Sequence, residues 1–294
     1  MKVLVTGACG QLGYDVLKEL SKRQITALAT DIKEEYIQDF PYFRMDITNR
    51  DEVLHVLEDL RPDALIHCAA WTAVDAAEDS KEKVFAVNVK GTENLALAAK
   101  EYGMKFLYIS SDYVFDGEGD TPFTANSEAF GPLNVYGLSK LEGERAVRRI
   151  LDRYFIVRTS WVYGHNGGNF VKTILKIAKE HNSVSVVNDQ IGSPTYTADL
   201  AVLLTDMICT EKYGIYHATN SGDYISWYDF CREIYRLAGI KTEVLPVSSA
   251  EYLTKAKRPL NSRLDKTCLK EAGFNELPEW RDALTRYLKE ERII

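Results

Sequence analysis

From its second residue the chain lays down short apolar, β-branched runs and separates them with stretches of helical periodicity. The runs are KVLVT (2–6), TALAT (26–30), FRMD (43–46), ALIHCAA (64–70), KFLYIS (105–110) and YFIVRTS (154–160). Amphipathic segments at 11–22, 49–60, 80–101 and 134–150 lie between them. Strands that are apolar on both faces need cover on both faces, so the pattern predicts a parallel sheet flanked by helices. Right-handed crossovers make a doubly wound α/β sheet the default. Past about residue 165 the rhythm changes. A helix at 169–180, strands at 184–188 and 215–219, a helix at 197–210 and two more at 226–238 and 278–290 are expected, with a loop KAKRPLNSRL. This predicts a doubly wound domain over 1–165 and a mixed segment over 166–294. The segment would complete the sheet and form a smaller, partly interwoven lobe.

Composition narrows the function classes. The 294 residues carry 36 Lys and Arg against 43 Asp and Glu, a net charge of −7. That balance argues against a nucleic-acid-coating or membrane-surface protein. No run of apolar residues is long enough for a transmembrane helix. The first residues read as a strand followed by glycines, which is no secretory leader. The five cysteines, Cys9, Cys68, Cys209, Cys231 and Cys268, are scattered without a CxxC pair, so a reducing cytoplasm is the expected compartment. The five histidines show no zinc-binding spacing.

Four features carry chemistry. Gly7-Ala-Cys-Gly10-Gln11-Leu12-Gly13 sits where the first strand turns into the first helix. Small residues there let the backbone approach a pyrophosphate at a helix N-terminus. Asp31, 18 residues beyond Gly13, ends the second strand, where an acid accepts hydrogen bonds from ribose hydroxyls and disfavours a 2′-phosphate. Lys33 softens that preference, and Asp46 with Ile47 ends the third strand, facing the adenine. Tyr136 and Lys140 fall four apart on one helical face, so phenol and ammonium point into one cleft. A nearby cation is expected to lower the phenol's pKa and ready it to protonate a carbonyl. Ser110-Ser111-Asp112-Tyr113 closes the fifth strand, and ligands of open parallel sheets bind beyond such ends. His67 and Cys68 read as packed core residues.

These motifs resemble the extended short-chain dehydrogenase/reductase family, and within it the branch of dTDP-4-dehydrorhamnose reductases. The marks are GACGQLGYD (7–15), CAAWTAVDAAE (68–78), NVKGTENLA (88–96), YISSDYVFDG (108–117) and PLNVYGLSK (132–140). RTSWVYG (158–164), NDQIGSPTYTADLA (188–201) and RPLNSRL (258–264) complete them. The resemblance spans nearly the whole chain and implies a Rossmann-type dinucleotide-binding domain followed by a nucleotide-sugar-binding lobe. It implies that Gly7, Gly10, Gln11, Leu12 and Gly13 hold the cofactor diphosphate, Asp31 the ribose, and Asp46 with Ile47 the adenine. Ala69, Ala70 and Trp71 would line the nicotinamide side.

By the same resemblance Tyr136 is the proton donor, Lys140 binds the nicotinamide ribose and tunes Tyr136, and Ser111 grips the sugar carbonyl. Asp112 and Trp161 would contact the sugar, and Arg258, Asn261 and Ser262 the nucleotide diphosphate. The implied reaction is reduction of dTDP-4-dehydro-β-L-rhamnose by NADH, favoured by Asp31, or by NADPH. Such relatives include homodimers. Some carry magnesium between acidic residues, and Asp15 and Asp199 fall near those positions. Both read here as solvated helix surface, and no metal is expected. Two alternatives share the motifs. One is a nucleotide-sugar epimerase or dehydratase, which returns the hydride. The other is a non-catalytic cofactor-binding subunit like that of methionine adenosyltransferase.

Overall fold

The protein is described by a computed structural model covering residues 1–34 and 39–294. In chain order the principal elements begin with β1 (Lys2–Thr6), α1 (Gln11–Lys22), β2 (Thr26–Asp31), β3 (Tyr42–Arg44), α2 (Arg50–Leu60) and β4 (Ala64–His67). Next come α3 (Lys81–Phe85), a π-helical turn (Ala86–Gly91), α4 (Thr92–Glu101), β5 (Lys105–Ser111), α5 (Val135–Ile150) and β6 (Tyr154–Thr159). The rest are α6 (Phe170–Glu180), β7 (Ser183–Val187), α7 (Thr197–Ile208), β8 (Gly214–His217), α8 (Trp227–Leu237), β9 (Glu243–Val247) and α9 (Trp280–Glu290).

The central sheet has the order β8-β6-β5-β4-β1-β2-β3, with every pair parallel. This is the Rossmann-type doubly wound arrangement that the alternation of apolar runs and helices predicts. The strands obey the period of two. Val3 and Val5 join the core beneath α1 and α7, whereas Leu4 joins the core beneath α2, α4 and α5. Phe155 and Val157 against Ile156 repeat the division in β6. Each fully buried Leu, Ile or Val contributes about 1.5–3 kcal/mol, so a sheet covered on both faces dominates the stability. Strand order reverses between β1 and β4, and that is the place for a ligand in such sheets.

Local chemistry sets the element ends. Asn49, Asn134 and Asn169 cap α2, α5 and α6 through side-chain acceptors, and Ser226 with Asp229 forms a capping box on α8. Arg61, at φ 44°, closes α2 in the left-handed region just before Pro62. The stretch expected as one helix over 80–101 is interrupted by the π turn. The strand expected to run to 70 stops at His67. Cys68 N–H still donates to the Thr6 carbonyl at 3.2 Å, and then the chain leaves the sheet because β1 has ended.

The part after 165 is not confined to one place. β8 completes the sheet and α7 packs along α1, while α6, α8 and α9 enclose a separate aromatic core around Tyr163, Phe230, Trp280 and Tyr287. β9 pairs parallel with β7 and was not legible from the sequence. Asp15 and Asp199 correct the surface reading. They are 4% and 8% exposed. Thr197 donates to Asp15, and Asn220 and Arg286 donate to Asp199, at 2.7 and 2.8 Å. Both carboxylates lock α7 to its surroundings. Among the described residues, no group of three or more His, Cys, Asp or Glu is placed to hold a metal, and no helix is long and apolar enough to cross a membrane.

One buried ion pair braces the sheet beneath the helix that carries Tyr136. Arg158 of β6 donates to both oxygens of Glu144 on α5, at 2.8 and 2.7 Å, and both side chains are 1% exposed. Ser110 adds a hydrogen bond to Glu144 at 2.5 Å, and the guanidinium lies over the rings of Phe115 and Phe130. Removing one partner strands the other charge away from water. Arg158→Met is expected to lower the unfolding free energy by about 3–5 kcal/mol. The double variant Glu144→Met/Arg158→Met should recover much of that loss, as read by urea denaturation.

Candidate active site

A single cleft of about 660 Å³ runs across the carboxyl ends of the strands, from Asp31 to Trp227. At one end is the glycine turn. Gly7 has φ +66°, and a Cβ on it would lie 2.6 Å from the Ala69 nitrogen. A Cβ on Gly13 would overlap the Gly7 carbonyl. The turn after β1 and the loop after β4 therefore touch backbone to backbone. The N-terminus of α1 begins at Gly10, takes no side-chain cap from the described residues and has no acid in its first turn. Its N–H groups and dipole face the cleft, an arrangement suited to an anion. Asp31 caps the neighbouring wall. Its Oδ2 accepts from Cys9 N–H at 3.1 Å and its Oδ1 from Ile32 N–H at 2.9 Å. Asp46 holds Thr48 in a tight turn through Oδ1, and the methyl end of Ile47 fills the space that a Cβ on Gly91 would take.

At the other end Ser111, Asp112, Tyr136, Lys140 and Trp161 line the same cleft. Asn134 positions Tyr136. Its Oδ1 accepts from Gly137 N–H at 2.8 Å, and its Nδ2 donates to the Lys257 carbonyl at 2.9 Å. A Cβ on Gly137 would overlap the Tyr113 carbonyl, so the glycine lets α5 press against the end of β5. Ser111 Oγ donates to Asp112 Oδ1 at 2.9 Å. Asp112 Oδ2 finds no hydrogen-bond partner among the described residues. Burial pushes the Asp112 carboxyl up to about 6, against the opposing hydroxyls of Ser262 and Ser111.

The electrostatics depart from the sequence expectation. Burial raises the Tyr136 phenol to about 12, with Ser111 opposing and Asp112 adding to the rise. The Lys140 ammonium lies 4.1 Å from the centre of the Tyr108 ring, and burial pulls its own pKa down to about 7, with Glu144 resisting. Burial is the largest cause of both shifts.

Other expected residues are placed differently. Trp71 is not among the residues that line the cleft; Asn88 accepts from its N–H at 2.7 Å and donates to its carbonyl at 3.1 Å. Arg258 is paired with Asp75 at 2.8 Å. Asn261 Nδ2 donates to the carbonyls of Glu118 and Thr121, at 3.1 and 2.9 Å. Ser262 sits behind Asp112, its N–H bonded to the Ile191 carbonyl at 2.7 Å. None of the three is among the residues that line the cleft, and the chain's own groups take up the hydrogen bonds of Asn261.

Trp227 was missed. Its ring stacks on Trp161 with centroids 3.8 Å apart, and both line the cleft. Trp161 itself has φ +49°, a conformation held by Thr195 N–H donating to its carbonyl at 3.1 Å. The signal available for Trp227 was its place directly after Ser226, inside the Ser-x-x-Asp cap of an amphipathic helix.

The model of the RmlD substrate binding domain family matches residues 1–293. The chain belongs to this family. The spore coat polysaccharide biosynthesis protein SpsK of Bacillus subtilis is 39% identical over 98% of this chain and 97% of its own. A dTDP-4-dehydrorhamnose reductase of Aggregatibacter actinomycetemcomitans is 39% identical, covering 96% of this chain and 97% of the relative. A crystal structure of dTDP-4-dehydrorhamnose reductase from Bacillus anthracis in complex with NADP superposes with a TM-score of 0.91. It is 41% identical and covers 99% of this chain and 100% of that one. These relatives thus align with nearly the whole of this chain.

The Lys140 shift has a sign that can be measured. Its pKa is 10.5 when unperturbed and about 7 in the fold, so the unfolded chain binds the extra proton between those values. Stability contributed by Lys140 is therefore lowest below pH 7 and rises as pH climbs toward 10.5. Lys140→Met should remove that rise. The expected result is that the unfolding free energy of the parent, less that of the variant, increases from pH 7 to pH 10 in denaturation curves.

Proposed function

We propose that this chain reduces the C4 keto group of dTDP-4-dehydro-β-L-rhamnose to the alcohol of dTDP-L-rhamnose, using NADH or NADPH. The observation that carries the reading is one continuous cleft that joins an uncapped helix N-terminus to Ser111, Tyr136 and Lys140. Membership of a family whose named relatives include dTDP-4-dehydrorhamnose reductases supports it.

The residues fit a dinucleotide. Gly7, Gly10, Gln11, Leu12 and Gly13 would hold its diphosphate on the N–H groups of α1, and Asp31 a ribose. Asp46 and Ile47 would flank the adenine, and Ala69 and Ala70 the nicotinamide. When bound, the cofactor supplies the hydride that adds to the sugar C4. The chain supplies the proton and the alignment. Tyr136 Oη gives its proton to the C4 oxygen as negative charge gathers there. Lys140 steadies the phenolate left behind. Ser111 Oγ orients the same oxygen, and Asp112 Oδ2 accepts from a sugar hydroxyl. Trp161 and Trp227 form an apolar wall for the deoxy-sugar ring.

The proposed preference is NADH over NADPH, because an acid at the end of β2 disfavours a 2′-phosphate, while Lys33, which lines the same cleft, keeps NADPH usable. A cytoplasmic location fits the scattered cysteines.

The test is oxidation of NADH, with NADPH in parallel, by protein supplied with dTDP-4-dehydro-β-L-rhamnose. One cofactor consumed per dTDP-L-rhamnose formed is expected. Tyr136→Phe should lower kcat by about 10²–10⁴-fold while leaving NADH binding nearly unchanged. Full activity in that variant overturns the proton donor, and product formed without cofactor consumption turns the reading to an epimerase.

A further inference from the structure

His67 ends β4 and is 1% exposed. The sequence pattern assigns it to ordinary core, yet both ring nitrogens are engaged. Thr92 Oγ1 donates to the Asn88 carbonyl at 2.8 Å, so its proton is committed. The His67 Nε2 at 3.0 Å from that hydroxyl must then be the donor. With Nε2 protonated, Nδ1 accepts from Thr6 Oγ1 at 2.7 Å. Thr6 Oγ1 in turn accepts from Ala69 N–H at 3.3 Å. One neutral tautomer satisfies the whole chain of bonds. Burial, with Lys140 nearby, lowers the imidazole to about 3 and keeps it neutral.

The two arms end in the cleft. Through Thr6 the ring fixes Ala69, which abuts Gly7 of the phosphate turn. Through Thr92 it fixes the π turn that presents Asn88. Asn88 holds Trp71 at both backbone atoms and donates to Ser139 Oγ at 2.8 Å, and Ser139 donates to the Tyr136 carbonyl at 2.7 Å.

We infer that His67 is a positioning residue for the reaction, holding the loop over residues 69–71 in register with both the glycine turn and the helix that carries Tyr136. This rests on the proposed reductase reading. His67 touches neither cofactor nor sugar; it acts through Ala69, Asn88 and Ser139. Loss of the Thr6 arm loosens the nicotinamide-side wall and weakens cofactor binding. Loss of the Thr92 arm lets Asn88 and Tyr136 shift relative to that wall and lowers turnover. A displacement of about 1 Å costs on the order of 10²-fold in rate.

The test compares His67→Leu, His67→Asn and Thr92→Val with the parent. NADH dissociation constants come from fluorescence, kcat and KM from NADH oxidation, and the folded fraction from urea curves. Leu removes both arms. Asn keeps an acceptor for Thr6 but falls short of Thr92. Thr92→Val is close to isosteric and removes only the second arm. The expected pattern is a weakened NADH affinity in His67→Leu that His67→Asn restores. A kcat loss on the order of 10²-fold is expected in all three variants, each of which lacks the Thr92 arm, with the sugar KM nearly unchanged. Parent-like kcat and NADH affinity in all three folded variants overturns the inference. So does an equal loss of NADH affinity in Leu and Asn, or a kcat loss that tracks the folded fraction alone. If the parent itself binds NADH but oxidises none, the reductase reading fails, and the fluorescence arm still decides whether His67 sets the cofactor wall.

Discussion

Gly7 sits between two backbones that approach too closely for any side chain. On one side is the loop leaving β4 at Ala69, and on the other the first turn of α1 at Gly13. This contact lies where the strand order reverses, so it determines how the two halves of the sheet open. The start of α1, entered through Gly10, takes no side-chain cap from the described residues, and the same contact requires glycine at positions 7 and 13. It also brings the end of β4 against the turn after β1. The His67 network then extends that juncture to α5. The phosphate end of the cleft and its chemical end are therefore parts of one construction.

The chemical end is held by buried polar groups in low dielectric. Lys140, Tyr136 and Asp112 are all displaced from their ordinary pKa values by burial first. Such groups persist only where neighbours fix them. Glu144 answers Lys140 one turn along α5, and Arg158 answers Glu144 from β6. Ser111 is braced by Tyr113 N–H at 3.2 Å and by Asp112. The site thus meets its partners already desolvated and already oriented, which is what lowers the reorganisation required for proton transfer.

Much of this was legible in the sequence because its signals are periodic or steric. A strand apolar on both faces reads directly as β1 or β5, and Gly-x-x-Gly-x-x-Gly after a strand reads as a close backbone approach. Tyr136 and Lys140 share a face by helical geometry alone. What was not legible depends on neighbours distant in the chain. Glu243–Val247 is short and interrupted by Pro246, and it forms a strand by pairing with Ser183–Val187, about 60 residues earlier in the chain. Asp15 and Asp199 sit on helices where an acid reads as surface, and their burial goes with partners distant in the chain, Thr197 for Asp15 and Asn220 with Arg286 for Asp199. The spacing of Tyr136 and Lys140 carries no information on burial, which is the first cause of the upward shift of the phenol. His67 looked like core because its partners, Thr6 and Thr92, are contributed by other elements.

The central claim is that the cleft delivers a hydride to a sugar carbonyl while Tyr136 delivers a proton. The most direct measurement uses NADH deuterated at both positions of nicotinamide C4, with dTDP-4-dehydro-β-L-rhamnose as substrate and the product read by NMR. The account predicts dTDP-L-rhamnose carrying deuterium at sugar C4, with one oxidised cofactor for each labelled product. Product that carries only protium at C4, or a sugar isomerised with the cofactor still reduced, would contradict it.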